Sequence, residues 1–242
     1  MRKIISLLLL QAVVLFSFAQ QKTIAIQCGK ILDVRTGKIL VNQVILVKGN
    51  KIESITDAAN FKQKTDSVID LKDYFILPGL IDCHTHVLLQ GDITTEDYDV
   101  QVLKESIPYR TLRASKSAYQ SLLNGFTTIR DLGTEGAGYA DVDIKKAINK
   151  NVIPGPRMFV STLAINTTGH YLIAEKDYAW ELKLPKGLQE ITGADEGRKA
   201  VRTQIAYGAD WIKIYADRGY VRLPNGGYKS IPNFTKEEIE AI

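Results

Sequence analysis

Two histidines one residue apart, His84 and His86, close the apolar run LPGLIDCHTHV from Leu77 to Val87, and the 242 residues contain only one more histidine. In a strand, residues i and i+2 point to the same side. Asp82, His84 and His86 are therefore expected on one face, with Cys83 and Thr85 on the other. Two imidazoles so placed at a strand end chelate one divalent ion. Asp82 then serves behind them, because a ligating imidazole gives its remaining N–H to a carboxylate or carbonyl. An isolated H-x-H is more often structural or superficial, so the elements around it decide.

Lys213 is a second candidate. In DWIKIYA, Trp211, Lys213 and Tyr215 alternate with Ile212 and Ile214, which sends the isoleucines toward covering helices and the lysine to the opposite face. A lysine taken into a low-dielectric interior has a lowered pKa, and its neutral amine can react; the alternative is a lysine snorkelling at a strand end. Tyr215, Arg218 and Tyr220 follow, suited either to a substrate carboxylate or to a solvated loop. Arg130 and Asp131 suggest a structural ion pair at a strand end.

The elements that must hold these residues fall into three stretches. Arg2 and Lys3 precede an apolar run from Ile4 to Phe18 that ends in Ser17-Phe18-Ala19, the pattern of a secretory signal peptide over residues 1–19. The run is shorter than the ~20 residues of a membrane span; no stable span is expected after its removal, and the mature chain is expected to be exported, periplasmic or secreted. From 20 to 78, short β-branched runs (TIAIQC, KILVNQVILVKG, KIESIT, SVIDL) separated by Thr36-Gly37 and Gly49-Asn50 read as a small antiparallel β unit, marginal alone. From 79 to 242, strand-like runs alternate with helices near 108–124, 142–149 and 196–207 and a last helix opening at the capping box Thr235-x-x-Glu238. That alternation argues a parallel α/β sheet. A closed (β/α)₈ barrel takes eight such units and roughly 200 or more residues, whereas about four units fit here.

Composition is that of a folded domain, 45% hydrophobic and 24% charged. The net charge of +4 is scattered rather than blocked, so no footprint for nucleic acid stands out. Two cysteines, Cys28 and Cys83, do not make a disulfide framework, and both are expected free and buried.

LPGLIDCHTHV resembles the first barrel strand of the amidohydrolase superfamily. The resemblance continues through GFTTIRDLG, IPGPR, TTGH and YGADWIKIY, and is nearest to secreted members akin to imidazolonepropionases and Xaa-Pro dipeptidases. It implies the N-terminal part of a metal-dependent barrel preceded by a small β-sandwich. It further implies that His84 and His86 bind one of one or two Zn²⁺ or Mn²⁺ ions, that Lys213 is carbamylated by carbon dioxide and bridges them, and that His170 contacts the substrate rather than lying in a surface loop. The implied activity is hydrolysis of an amide, peptide or cyclic amide bond in a small molecule or short peptide by metal-activated water, in a parent that is a candidate homo-oligomer.

The superfamily completes its site with two further histidines and an aspartate from later strands. No histidine follows Lys213, and Asp217 is the one aspartate beyond it. The chain is therefore expected to act as an inactive N-terminal fragment of a longer enzyme. Two rivals are a secreted binding protein that keeps the fold without catalysis, and a metal-independent half-barrel that dimerises.

Overall fold

A computed structural model describes residues 21–91, 95–170 and 178–242; the stretch 1–19, expected as a signal peptide, lies outside them. The chain divides into two compact units, Met1–Pro78 and Gly79–Ile242.

In the first unit, β1 (Thr23–Asp33), β2 (Lys38–Lys48), β3 (Lys51–Asp57) and β4 (Ser67–Ile76) form one sheet in the order β3-β2-β1-β4. Gly37 and Gly49, both at positive φ, turn the chain between β1, β2 and β3. These three pair antiparallel, as the turn spacing predicts, but β4 lies parallel to β1. The purely antiparallel expectation is corrected here. Residues 58–66 carry the chain back to the start of β1, where the Asp66 carboxylate accepts from the Thr23 N–H at 2.7 Å and its hydroxyl at 2.8 Å. From there only the same direction as β1 is open. Ala25, Cys28, Ile31, Val44, Ile45 and Leu46 are buried.

The second unit is α/β. β5 (Leu80–Thr85), β6 (Phe126–Asp131) and β7 (Arg157–Val160) form a parallel sheet in that order. A short helix, α1 (Thr95–Asp99), runs into a π-helical turn, Val100–Lys104. Then α2 (Ile107–Leu123) starts on a Ser106 cap with Pro108 in its first turn, and buries Arg110, Ala114 and Ala118, one stripe at i, i+4, i+8. Small residues there let the helix close on Ile129, while α3 (Ala140–Asn149) adds Ile144 and β7 adds Met158 and Val160 to the same core.

The apolar run RMFVSTLAI (157–165) is not one strand but splits into β7 and β8 (Ile165–Thr167), with Thr162 at φ 59 between them. β8 pairs with β9 (Gln189–Ile191), followed by α4 (Ala194–Tyr207), the hairpin β10 (Asp217–Arg222) and β11 (Tyr228–Pro232), and α5 (Lys236–Ala241). The expected fourth strand, DWIKIYA, makes a single parallel bridge, Ile214 to Ile165. The break at Thr162 explains the shortfall. Asp210 and Trp211 donate to the Val160 carbonyl before the break, and Lys213 and Tyr215 reach Ile165 after it. Ile212 and Ile214 pack onto the cluster of Ile165, Ile191, Ala200 and Phe234, the side the alternation assigned to them.

Candidate metal centre

The ladder between β5 and β6 shifts twice, between Leu80 and Ile81 and again before the histidines, where Asp82 lies opposite Ile129 yet Thr85 lies opposite Asp131. The extra residue on β5 is a β-bulge, and a bulge re-aims the side chains beyond it. Asp82 falls on the side of Ile129 and borders a surface cleft with Arg113, Lys116 and Gln120 of α2. His84 and His86 turn to the other side, so the expectation that all three share a face is corrected. Asp82 still serves the histidine strand, through the backbone rather than the ring: its Oδ1 accepts the His84 N–H at 3.0 Å.

The two rings meet at their Nε2 atoms, 3.3 Å apart, with centroids 5.3 Å apart and planes inclined by 56°. The His86 Nδ1 lies 3.0 Å from the Gly133 carbonyl. A carbonyl only accepts, so Nδ1 carries the proton and Nε2 presents a lone pair toward His84. Burial pushes the His84 pKa down, helped by the charges of Lys213, His86 and Arg130 and opposed by Asp82. Burial thus favours the neutral form of the His84 ring, and the Nε2 atoms of the two histidines converge. Tetrahedral zinc with bonds of about 2.0–2.1 Å places two nitrogens about 3.3–3.4 Å apart, which this pair fits. Among the described residues no group of three or more His, Cys, Asp and Glu side chains is arranged to hold a metal.

Lys213 lies near enough for its charge to act on His84. Burial lowers its own pKa, Glu135 opposes that and Arg130 adds to it; its Nζ sits 5.5 Å from the centre of the Tyr215 ring. Arg130 joins this side of the sheet, stacking at 5.0 Å on Trp211 and donating from Nε to the Cys83 carbonyl at 2.8 Å. The expected Arg130–Asp131 ion pair is absent because neighbours on a strand face opposite ways. Asp131 is buried on the helix side, where it accepts from Val87 N–H at 2.8 Å and the Thr85 hydroxyl at 3.2 Å, and burial holds its pKa well above the usual range.

Sequence reasoning missed Glu135. Its buried carboxylate approaches His86 Nδ1 at 3.6 Å, the Tyr215 hydroxyl at 3.4 Å and the Tyr98 hydroxyl at 3.1 Å. Its loop follows directly on β6, the end where sites of parallel barrels gather; that position was the available signal.

The remaining candidates stand apart from the histidine pair in their contacts. His170 is exposed, and its Nδ1 is 2.8 Å from the Thr167 hydroxyl, which itself donates to the Asn233 carbonyl at 2.9 Å. With the single hydroxyl proton so engaged, Nδ1 is the donor and Nε2 of the neutral ring can only accept. Arg218 lies in β10, with its side chain outside the described residues. Tyr220 meets Asp217 at 3.5 Å. Both cysteines are free thiols, Cys28 buried as expected but Cys83 exposed, since β5 is an edge strand.

The solved structure of a Xaa-Pro dipeptidase with bound methionine matches with a TM-score of 0.72 and 28% identity, over 90% of this chain and 52% of that one. Aspergillus niger ochratoxinase matches with a TM-score of 0.73 and 25% identity over 92% and 52%. In sequence, ochratoxinase of Aspergillus niger is 31% identical over 180 residues, 69% of this chain and 36% of its own. Imidazolonepropionase of Vibrio campbellii is 28% identical over 128 residues, 47% of this chain and 29% of its own. The chain thus spans about a third of the length of these curated relatives and about half of the solved ones. With the sequence pattern of that family matching residues 75–242, this chain belongs to the amidohydrolase family.

Proposed function

We propose that this chain carries the metal-binding part of a hydrolase that cleaves C–N bonds in small-molecule amides or short peptides, and that its parallel sheet belongs to a (β/α)₈ barrel. The carrying observation is the 3.3 Å approach of the His84 and His86 Nε2 atoms. A divalent ion such as Zn²⁺ or Mn²⁺ held there would acidify water and polarise an amide carbonyl. His84 and His86 hold it through Nε2. Burial lowers the Lys213 pKa, which favours the neutral amine that would add to carbon dioxide with loss of a proton, and the carbamate would supply oxygen ligands. Tyr215 and Arg218 orient a substrate carboxylate. His170 contacts the substrate. Relatives named as a Xaa-Pro dipeptidase and an imidazolonepropionase support Xaa-Pro dipeptides, N-acylated amino acids and cyclic amides as the substrate classes to test.

Metal titration tests this reading. Co²⁺ is expected to bind the purified chain, His84→Ala and His86→Ala to lose that binding, and bicarbonate to tighten it in the parent but not in Lys213→Ala. Equal metal content in the parent and both histidine variants would exclude the site.

A further inference from the structure

We infer that Glu135 is a positioning residue for His86, its carboxylate standing behind the imidazole and, with the Gly133 carbonyl, holding the ring as the tautomer whose Nε2 faces His84. The inference rests on the metal-binding reading above and adds a group to it. Glu135 Oε1 is 3.6 Å from His86 Nδ1, on the far side of the ring from the atoms that face His84, so it is no ligand itself. The same oxygen lies 3.4 Å from the Tyr215 hydroxyl, whose ring underlies Lys213 Nζ, and Oε2 lies 3.1 Å from the Tyr98 hydroxyl. One carboxylate therefore braces the histidine side and the lysine side of the site together.

The surrounding chain is built to keep it there. Glu135 has φ 47, a left-handed conformation that a glutamate adopts only when its surroundings enforce it. Arg110, 1% exposed, enforces it from α2: its guanidinium donates to the carbonyls of Glu135 at 2.8 Å, Thr134 at 3.2 Å and Leu88 at 3.0 Å. This ties the loop that follows His86 to the loop that carries Glu135. Space is reserved as well, since a β-carbon on Gly187 would lie 1.9 Å from the Tyr98 hydroxyl and 2.9 Å from Glu135 Oε2. The Nδ1 proton goes to Gly133, and the Glu135 charge 3.6 Å away favours keeping it on that nitrogen; loss of groups that orient a ligating imidazole costs 10–100-fold in metal affinity.

The test combines Co²⁺ titration with ¹⁵N NMR of the histidine side chains on the whole chain. Glu135→Gln is expected to weaken Co²⁺ binding about tenfold or more, to move His86 toward the Nε2–H tautomer, and to leave the metal-free unfolding midpoint within a few degrees. Parent-like affinity in Glu135→Gln, with binding lost in His84→Ala, would overturn the inference and leave the metal site standing. Retained affinity in His84→Ala would overturn the metal site and the inference with it. The parent spectrum decides even where the variant does not fold: His86 found as Nε2–H in the metal-free parent contradicts the positioning role.

Discussion

At His86 the two ring nitrogens have different obligations, one proton given to Gly133 and one lone pair kept for the site. Gly133 can meet the ring because it has no side chain; a β-carbon there would lie 3.3 Å from His86 Cε1. A second residue shows how burial sets protonation in this fold. Asp141 accepts the Thr162 and Val142 N–H groups at 2.8 Å each, yet burial outweighs both bonds and raises its pKa to about 6. A folded pKa above the unfolded one means that the protonated form is favoured by folding. The stabilisation is full below the unfolded carboxylate pKa near 4 and is lost as pH rises through about 6, up to about 3 kcal/mol. Denaturant unfolding of the parent against Asp141→Asn is expected to show the parent's advantage shrinking from pH 4 to pH 7. A constant difference would contradict the assignment. At this scale the pattern of alternation made His84, His86 and Lys213 legible, because period two is a local property. Glu135, Arg110 and Tyr98 were not legible, since each matters through partners tens of residues away.

Among the elements, the bulge in β5 has the largest consequence, for it parts Asp82 from the histidines that the plain period would have joined to it. The sequence LIDCHT has no glycine or proline to mark it. The register of β6, held by α2 and α3 through Ile129, imposes it from outside. Helix ends behave differently, because their chemistry is local. Thr235 accepts the Glu238 N–H at 3.3 Å and the Glu238 carboxylate accepts the Thr235 N–H at 2.8 Å, with the second Glu238 oxygen on the Gly193 N–H at 2.7 Å. Thr235→Ala is expected to destabilise the second unit by about 1 kcal/mol, measured by denaturant unfolding. An unchanged midpoint would show that α5 contributes nothing to the cooperative unit.

For the whole molecule, the donor inventory governs what the chain can do. The proposed site draws on two imidazoles and one lysine, while Asp217, the one aspartate after Lys213, is engaged by Ser230 and Tyr220. Residues 20–242 alone are therefore expected to bind divalent metal without hydrolysing amides above background; metal-dependent turnover by that polypeptide would overturn this. Export is proposed on Ser17-Phe18-Ala19, and N-terminal sequencing of exported material is expected to begin at or near Gln20, with an intact Met1 counting against it. The sequence by itself determined the alternation of strands and helices, the capped last helix and the residues proposed to bind metal, since each is written within a few neighbouring positions. Only the tertiary structure decided that β4 runs parallel to β1, that the fourth strand pairs at a single bridge, that Asp82 faces the helices and that Glu135 stands behind His86. Those outcomes depend on register between distant segments, where one residue of shift reverses a face, and on close approach between loops that no local pattern encodes.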